Sequence, residues 1–411
     1  MLNKNIHTKA YHYLSMCIAF CLPFGRLTPV FIVLLLLNWL LEGDLKNKFG
    51  HILRNKWCWL FTSFYLIHIA GMAFTHYIDQ GLFDLEVKLS ILIFPWIFST
   101  RPLTAEKIND VFKAFVAGGV VSSLYLLGRA AYFFFSAGEN RFFYEAFSVL
   151  AHTSYISMYF NFLMAWIILG LLGKGTVRAA FSVSVSWALI FFFSCINILL
   201  SSKMGVILMV LMFLCFGAYY VWRSGKYIAG IVAVLGMAGG LFLLARNVPV
   251  IHSRVQYAIA AFTKPNIDVK SNESSEVRML VWSVANELIE DNFFTGVGTG
   301  DAKPMLLRAY ARKGMQGAFE HRLNAHNEFY QVFVAVGVFG FLILLGCLLL
   351  PLIPAFRERC IIYLIFLFLI IINFIPESML ETQAGVMFYG FMNAMLFFSL
   401  VGRKDSGTVT V

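Results

Sequence analysis

The sequence predicts an all-α polytopic membrane protein of about twelve transmembrane helices, with one large, partly helical loop between the ninth and the tenth. Three observations carry this. The chain of 411 residues is 60% hydrophobic and only 13% charged, a balance that soluble enzymes do not have. Apolar runs long enough for a hydrocarbon layer of about 30 Å recur along the whole chain. With no water in that layer to satisfy the backbone, such runs must be helical, and the alternation that marks a membrane β-barrel is absent. Finally, residues 246–325 interrupt the pattern with a long mixed polar stretch holding Arg254, Arg278 and a Gly-Val-Gly-Thr-Gly run at 296–300.

The predicted spans are 11–25, 27–43, 57–76, 86–100, 111–135, 152–172, 179–200, 204–222 and 227–245, then 327–353, 360–377 and 383–401. The chain thus divides into helices over 1–245, the loop 246–325, and helices with a short tail over 326–411. The first apolar run is followed at once by a second, with no small-residue cleavage site between, and is expected to be an uncleaved anchor. The tail 402–411 is expected to be a short disordered end.

Charge sets the orientation. One set of short loops carries Lys4 and Lys9, Lys46 to Lys56, Arg101 and Lys107, Lys174 and Arg178, Arg223 and Lys226, Arg357 and Arg359, and Arg403 with Lys404. The short loops of the other set hold only Arg26 and Arg141. The basic set is expected on the cytoplasmic side, with both termini, and the large loop opposite it. The ten Lys and Arg of the loop do not conflict with this, because long loops translocate regardless of charge. The net charge of +10 therefore serves topology and does not indicate nucleic acid. The seven cysteines lie in or beside apolar runs, with no zinc spacing and no disulfide framework for the loop.

Inside the loop, residues 276–290 place Val277, Leu280, Val281, Val284 and Leu288 on one stripe. This predicts an amphipathic helix on the membrane surface or against the bundle. A second helix is expected over about 303–313. Gly296, Gly298 and Gly300 lack the Lys-Ser/Thr of a P-loop and any βαβ setting, and are expected to form a flexible turn that lets backbone approach the site.

Five charged residues on the loop side could serve chemistry. Lys88, Arg129, Lys203 and Glu381 lie at or near span ends, where charge faces a cavity, a partner or, by snorkelling, the interface. Glu381 could simply pair with one of the cations. Arg278 is either a lipid-phosphate contact or a donor fork for a diphosphate. His326 starts a span at the loop's end, where a neutral imidazole can take a proton from a hydroxyl, or merely bond backbone or headgroups.

His326-Asn327, nine residues, Gly337, two residues and Gly340 resemble the H-[NSQ]-x9-G-x-x-[GTY] pattern of bacterial O-antigen ligases. Arg278 to Trp282 with Gly296-Val297-Gly298 is similar to the R-x-x-x-W…G-V-G run of that superfamily, which also holds O-antigen polymerases and protein O-oligosaccharyltransferases. Looser likenesses are Glu86-Val87-Lys88-Leu89 before Pro95, His152 to Tyr155, and Ser202-Lys203-Met204-Gly205, where Lys replaces the family's Arg. That departure keeps charge and loses the bidentate fork.

The resemblance implies transfer of a glycan from undecaprenyl diphosphate to a sugar hydroxyl of lipid A–core, at the periplasmic face of the bacterial inner membrane. His326 would act on the acceptor hydroxyl, and Arg278, Lys203 and Lys88 would hold the diphosphate. Asn327, Arg141 and Glu381 would support them. Membrane lipids are the other expected partners, and neither a metal nor a cofactor is required. The alternatives are a polymerase or protein glycosyltransferase of the same superfamily, and a transporter of the lipid-linked glycan. The sequence shows no inverted repeat for a transporter, and a pure scaffold leaves the loop-side cations unexplained.

Overall fold

The computed structural model describes residues 4–173, 179–247, 252, 253, 256 and 274–401. Lys174, Arg178, Arg254, Arg403, Lys404 and the tail 402–411, all used above, lie outside the described residues. Among the described residues every regular element is a helix.

Helix α1 (Lys4–Cys21) ends in a tight turn containing Pro23, and α2 (Thr28–Leu41) starts on Pro29, whose missing N–H costs nothing in a first helical turn. Gly43 and Asp44 both take positive φ and turn the chain by 110° into α3 (Leu45–Arg54). Asn55 caps α4 (Lys56–Gly71) by accepting from the N–H groups of Trp57 and Cys58. Helix α5 (Ile78–Thr100) and α6 (Ala105–Ala137) follow, the latter bounded by Thr104 as N-cap and left-handed Gly138 as C-cap. After the single turn α7 (Tyr144–Phe147) come α8 (Thr153–Leu172), α9 (Val183–Leu200), α10 (Lys203–Ser224) and α11 (Tyr227–Asn247).

The loop contributes α12 (Ser274–Asp291), α13 (Ala302–Lys313) and α14 (Gln316–Glu320). The chain re-enters the bundle as α15 (Glu328–Leu349), α16 (Leu352–Arg357), α17 (Ile361–Phe374) and α18 (Gln383–Leu396), which widens into a π turn over Phe397–Val401. Helices α8 and α18 are buried on every face and form the centre, where Phe162, Phe366 and Phe388 meet. Gly390 lets α18 close on α5, whose Phe94 and Phe98 pack edge-on against Phe391.

Each of the twelve predicted segments overlaps a helix. Among the described residues, however, seven helices are long and apolar enough to cross a bilayer, or eight if the bent α2–α3 pair is one span. The differences have local causes. Helix α17 stops at Phe374, with Pro376 and Glu377 in the turn that follows, and reaches only 14 residues. Helix α5 starts eight residues before its predicted boundary, because Asp84 and Lys88 pair along it and remain inside the helix.

Candidate functional site

The glycine motifs are structural before they are chemical. Helix α15 is broken at Val336 and Gly337, where φ is −132° and +65°. A break inside an apolar helix frees backbone groups that must find partners. The loop supplies them: Val297 N–H donates to Val334 O (2.8 Å), Gly298 N–H to Ala335 O (3.0 Å), and Val338 N–H to Phe293 O (2.9 Å). A Cβ on Gly337 would lie 2.2 Å from Phe294 O, and one on Gly296 would lie 2.5 Å from Ala335 O. Gly296 to Gly298 is therefore a strap hydrogen-bonded into α15, not the flexible turn expected from sequence. The strap follows directly on α12, so it fixes the helix that carries Arg278. The predicted stripe of α12 faces inward: Val277, Val281, Val284 and Leu288 are buried, and Trp282 stacks on Tyr330 of α15.

His326 sits at the head of α15 in a left-handed conformation, φ +43°, which L-residues adopt at a cost. The turn is held from both sides. Its own N–H donates to Asn324 Oδ1 (3.0 Å), and the Asn327 N–H donates to Ser378 Oγ (3.1 Å). Asn327 then caps the helix, its Oδ1 accepting from Tyr330 N–H at 3.1 Å. Its place in the motif is thus that of an N-cap.

Both predicted loop-side actors meet on a residue that the sequence reading did not single out. Glu377, in the turn after α17, accepts from Arg278 Nη2 (2.8 Å) and Ser154 Oγ (3.3 Å) through Oε1. Its Oε2 lies 3.4 Å from His326 Nδ1. Burial alone would raise this carboxyl, but the His326 contact and the Arg278 guanidinium outweigh it and hold it down to about 2. A small cleft of about 30 Å³ opens beside it, lined by Tyr144, His152, Ser154, Lys203, Arg278 and Glu377 among others. Burial pushes the His152 imidazole down, against the pull of Glu377. Lys203 reaches the cleft because α10 begins against α8. A Cβ on Gly205 would stand 1.7 Å from Ser157 Oγ, and Ser157, Asn197, Asn161 and the Gly205 carbonyl form one buried hydrogen-bonded chain.

Three expected site residues lie elsewhere. Lys88 is fully buried, its ammonium paired with Asp84 and, at 2.7 Å, with Glu381. Glu381 also accepts from Gln331 of α15 at 3.0 Å. This cluster ties α5, α15 and the turn before α18 together, and its cation is already neutralised. Arg141 pairs with Glu139 and lies over the Phe133 ring at 3.5 Å. Neither Lys88, Glu381 nor Arg141 lines the cleft, and His326 meets its wall only through Glu377. Arg129, the fourth loop-side cation, donates to Ala146 O at 2.8 Å.

The signal that could have marked Glu377 was its position. It is an acid at the loop-side end of an apolar run, where an uncompensated charge is costly. No curated protein matches the chain. The family described as O-antigen ligase matches residues 187–345, which contain Lys203, Arg278, the glycine strap and the His326–Asn327 turn. Over that stretch, less than half of its length, the chain is similar to the O-antigen ligase family.

Proposed function

We propose that the protein is an O-antigen ligase. It transfers a glycan from undecaprenyl diphosphate to a sugar hydroxyl of lipid A–core at the periplasmic face of the inner membrane. The observation that carries this reading is the convergence of His326 and Arg278 on Glu377, beside a cleft that Lys203 also lines. A base and two cations are what displacement at an anomeric carbon requires. The acceptor oxygen forms its bond to that carbon while its proton passes to His326. The carbon–oxygen bond to phosphate breaks, and the diphosphate leaves with the electron pair. Arg278 and Lys203 stabilise the charge that develops on it.

The lipid nature of the donor has its own support. The helices α8, α10 and α17 that end at or near the cleft also frame an apolar groove of about 520 Å³, lined by Leu169, Leu208, Met212, Phe216, Ile365 and Leu369 among others. A polyprenyl chain is an occupant of matching chemistry.

The test uses purified protein in nanodiscs with undecaprenyl-diphosphate-linked glycan. Lipid A–core, a second lipid-linked glycan and a Ser/Thr peptide are offered separately as acceptors. Glycosylated lipid A–core that disappears with His326→Ala supports the ligase. Lengthened glycans, or a glycosylated peptide, without lipid A–core product would replace that reading with the polymerase or the protein transferase. Arg278→Lys keeps the charge but loses the fork, and is expected to raise the donor KM by about tenfold or more.

A further inference from the structure

We infer that Glu377 is the positioning residue for His326, fixing the imidazole proton on Nδ1 and presenting Nε2 to the acceptor hydroxyl. The inference rests on the glycan-transfer reading above and adds a residue that lies outside the matched region 187–345.

The geometry divides the labour of one carboxylate. Oε1 takes Arg278 and Ser154, and Oε2 faces His326 Nδ1 at 3.4 Å, within ion-pair reach but not aligned as a hydrogen bond. An ionised carboxylate only accepts hydrogen bonds, so the ring nitrogen that faces it carries the proton. The other nitrogen then holds the lone pair a base needs. A base oriented by a third group is a recurring arrangement in nucleophilic and acyl-transfer sites. Here the base and its orienter also ride on one backbone unit. Asn327 N–H binds Ser378 Oγ, next to Glu377, and Leu380 N–H binds Glu328 Oε2 at 2.7 Å. These two staples join the turn 326–328 to the turn 377–380, so the separation of His326 from Glu377 is set by the fold before substrate arrives. The left-handed backbone of His326 is the conformation this stapled pair imposes.

The other groups that face Glu377 are named by the same neighbourhood. Arg278 comes from α12, and His152 and Tyr155 from the start of α8. Lys203 lines the cleft from the head of α10. Arg278 is the competitor: the oxygen it occupies is the one turned away from His326, so a donor diphosphate can draw on Arg278 without removing the histidine's partner.

The experiment measures kcat, donor KM and the pH profile of kcat for wild type, Glu377→Gln, Glu377→Asp and His326→Ala, each normalised to folded protein by size-exclusion chromatography. Glu377→Gln is expected to lower kcat by about tenfold or more. The pH profile of its kcat should differ from that of the wild type, because the carboxylate facing the base is gone. Its donor KM should not rise, since Arg278 loses a competing anion. Glu377→Asp should recover part of the rate and, if Glu377→Gln does not fold, it carries the same test through its own profile. Wild-type kcat and profile in Glu377→Gln, with His326→Ala inactive, would overturn the inference and leave the base assignment standing. A fall only in the folded fraction, with an unchanged profile, would overturn it equally. Full activity in folded His326→Ala would instead remove the transfer mechanism on which it rests.

Discussion

Gly337→Ala tests whether the glycine strap holds the site together. Two costs add. Gly337 lies at φ +65° and ψ −166°, a region essentially open only to glycine, and a residue with a Cβ there pays about 1–2 kcal/mol. The new Cβ would also meet Phe294 O at 2.2 Å, Phe294 C at 2.5 Å and Gly296 N at 2.7 Å, all backbone atoms that cannot rotate away. The strap must retreat, which breaks or stretches the three hydrogen bonds that fill the gap in α15. At about 1 kcal/mol each these contribute roughly 3 kcal/mol. The sum, about 4–5 kcal/mol, is a large share of the roughly 5–15 kcal/mol that holds a domain folded. The assay is thermal unfolding of the purified protein in detergent, followed by tryptophan fluorescence, beside the transfer assay. Gly217→Ala is the control. It lies within α10 with open space where its Cβ would go, and should be neutral or stabilising by up to about 1 kcal/mol. A Gly337→Ala protein that melts with the wild type and transfers at its rate would refute the argument that strap and break are one unit.

Three further outcomes are expected. Lys88→Met leaves buried Asp84 and half-buried Glu381 without their cation and should cost about 3–5 kcal/mol, read as a lost or lowered melting transition, with part of the loss recovered by adding Glu381→Gln. Gly205→Ala should lower transfer by forcing α10 from α8, and Ser157→Gly in the same chain, which removes both Oγ and the Cβ at 2.6 Å, should restore part of it; no rescue would mean the contact does not place Lys203. The melting temperature should also fall in acid. Glu377 is held at about 2, below its ordinary 4.5, so the stability it contributes is complete above about pH 4.5 and is lost as pH falls towards 2. The full span is worth about 3 kcal/mol, and Glu377→Gln should flatten that part of the curve.

Helix positions were legible because apolar length and capping are local properties. The stripe of Val277, Val281, Val284 and Leu288 shows which face α12 buries, whereas α6 begins six residues before its predicted boundary because Thr104 caps it. The number of bilayer crossings was less legible. Asp84 and Lys88 look like a boundary until Glu381, nearly three hundred residues away, supplies the second carboxylate that keeps them inside. The same limit explains the site. His326 and Arg278 stand out by type and position, yet what makes them a pair is a glutamate in a third segment. In sequence, Glu377 and Glu381 are two acids in one short turn with equal claims. In the fold, the three residues between them send one carboxylate into a closed ion cluster with Lys88 and the other to the cleft wall between Arg278 and His326. A charge already satisfied by a buried partner is structural. One that shares its oxygens between a cation and a titratable ring, beside open space, is where chemistry can be done, and only the partners distinguish the two.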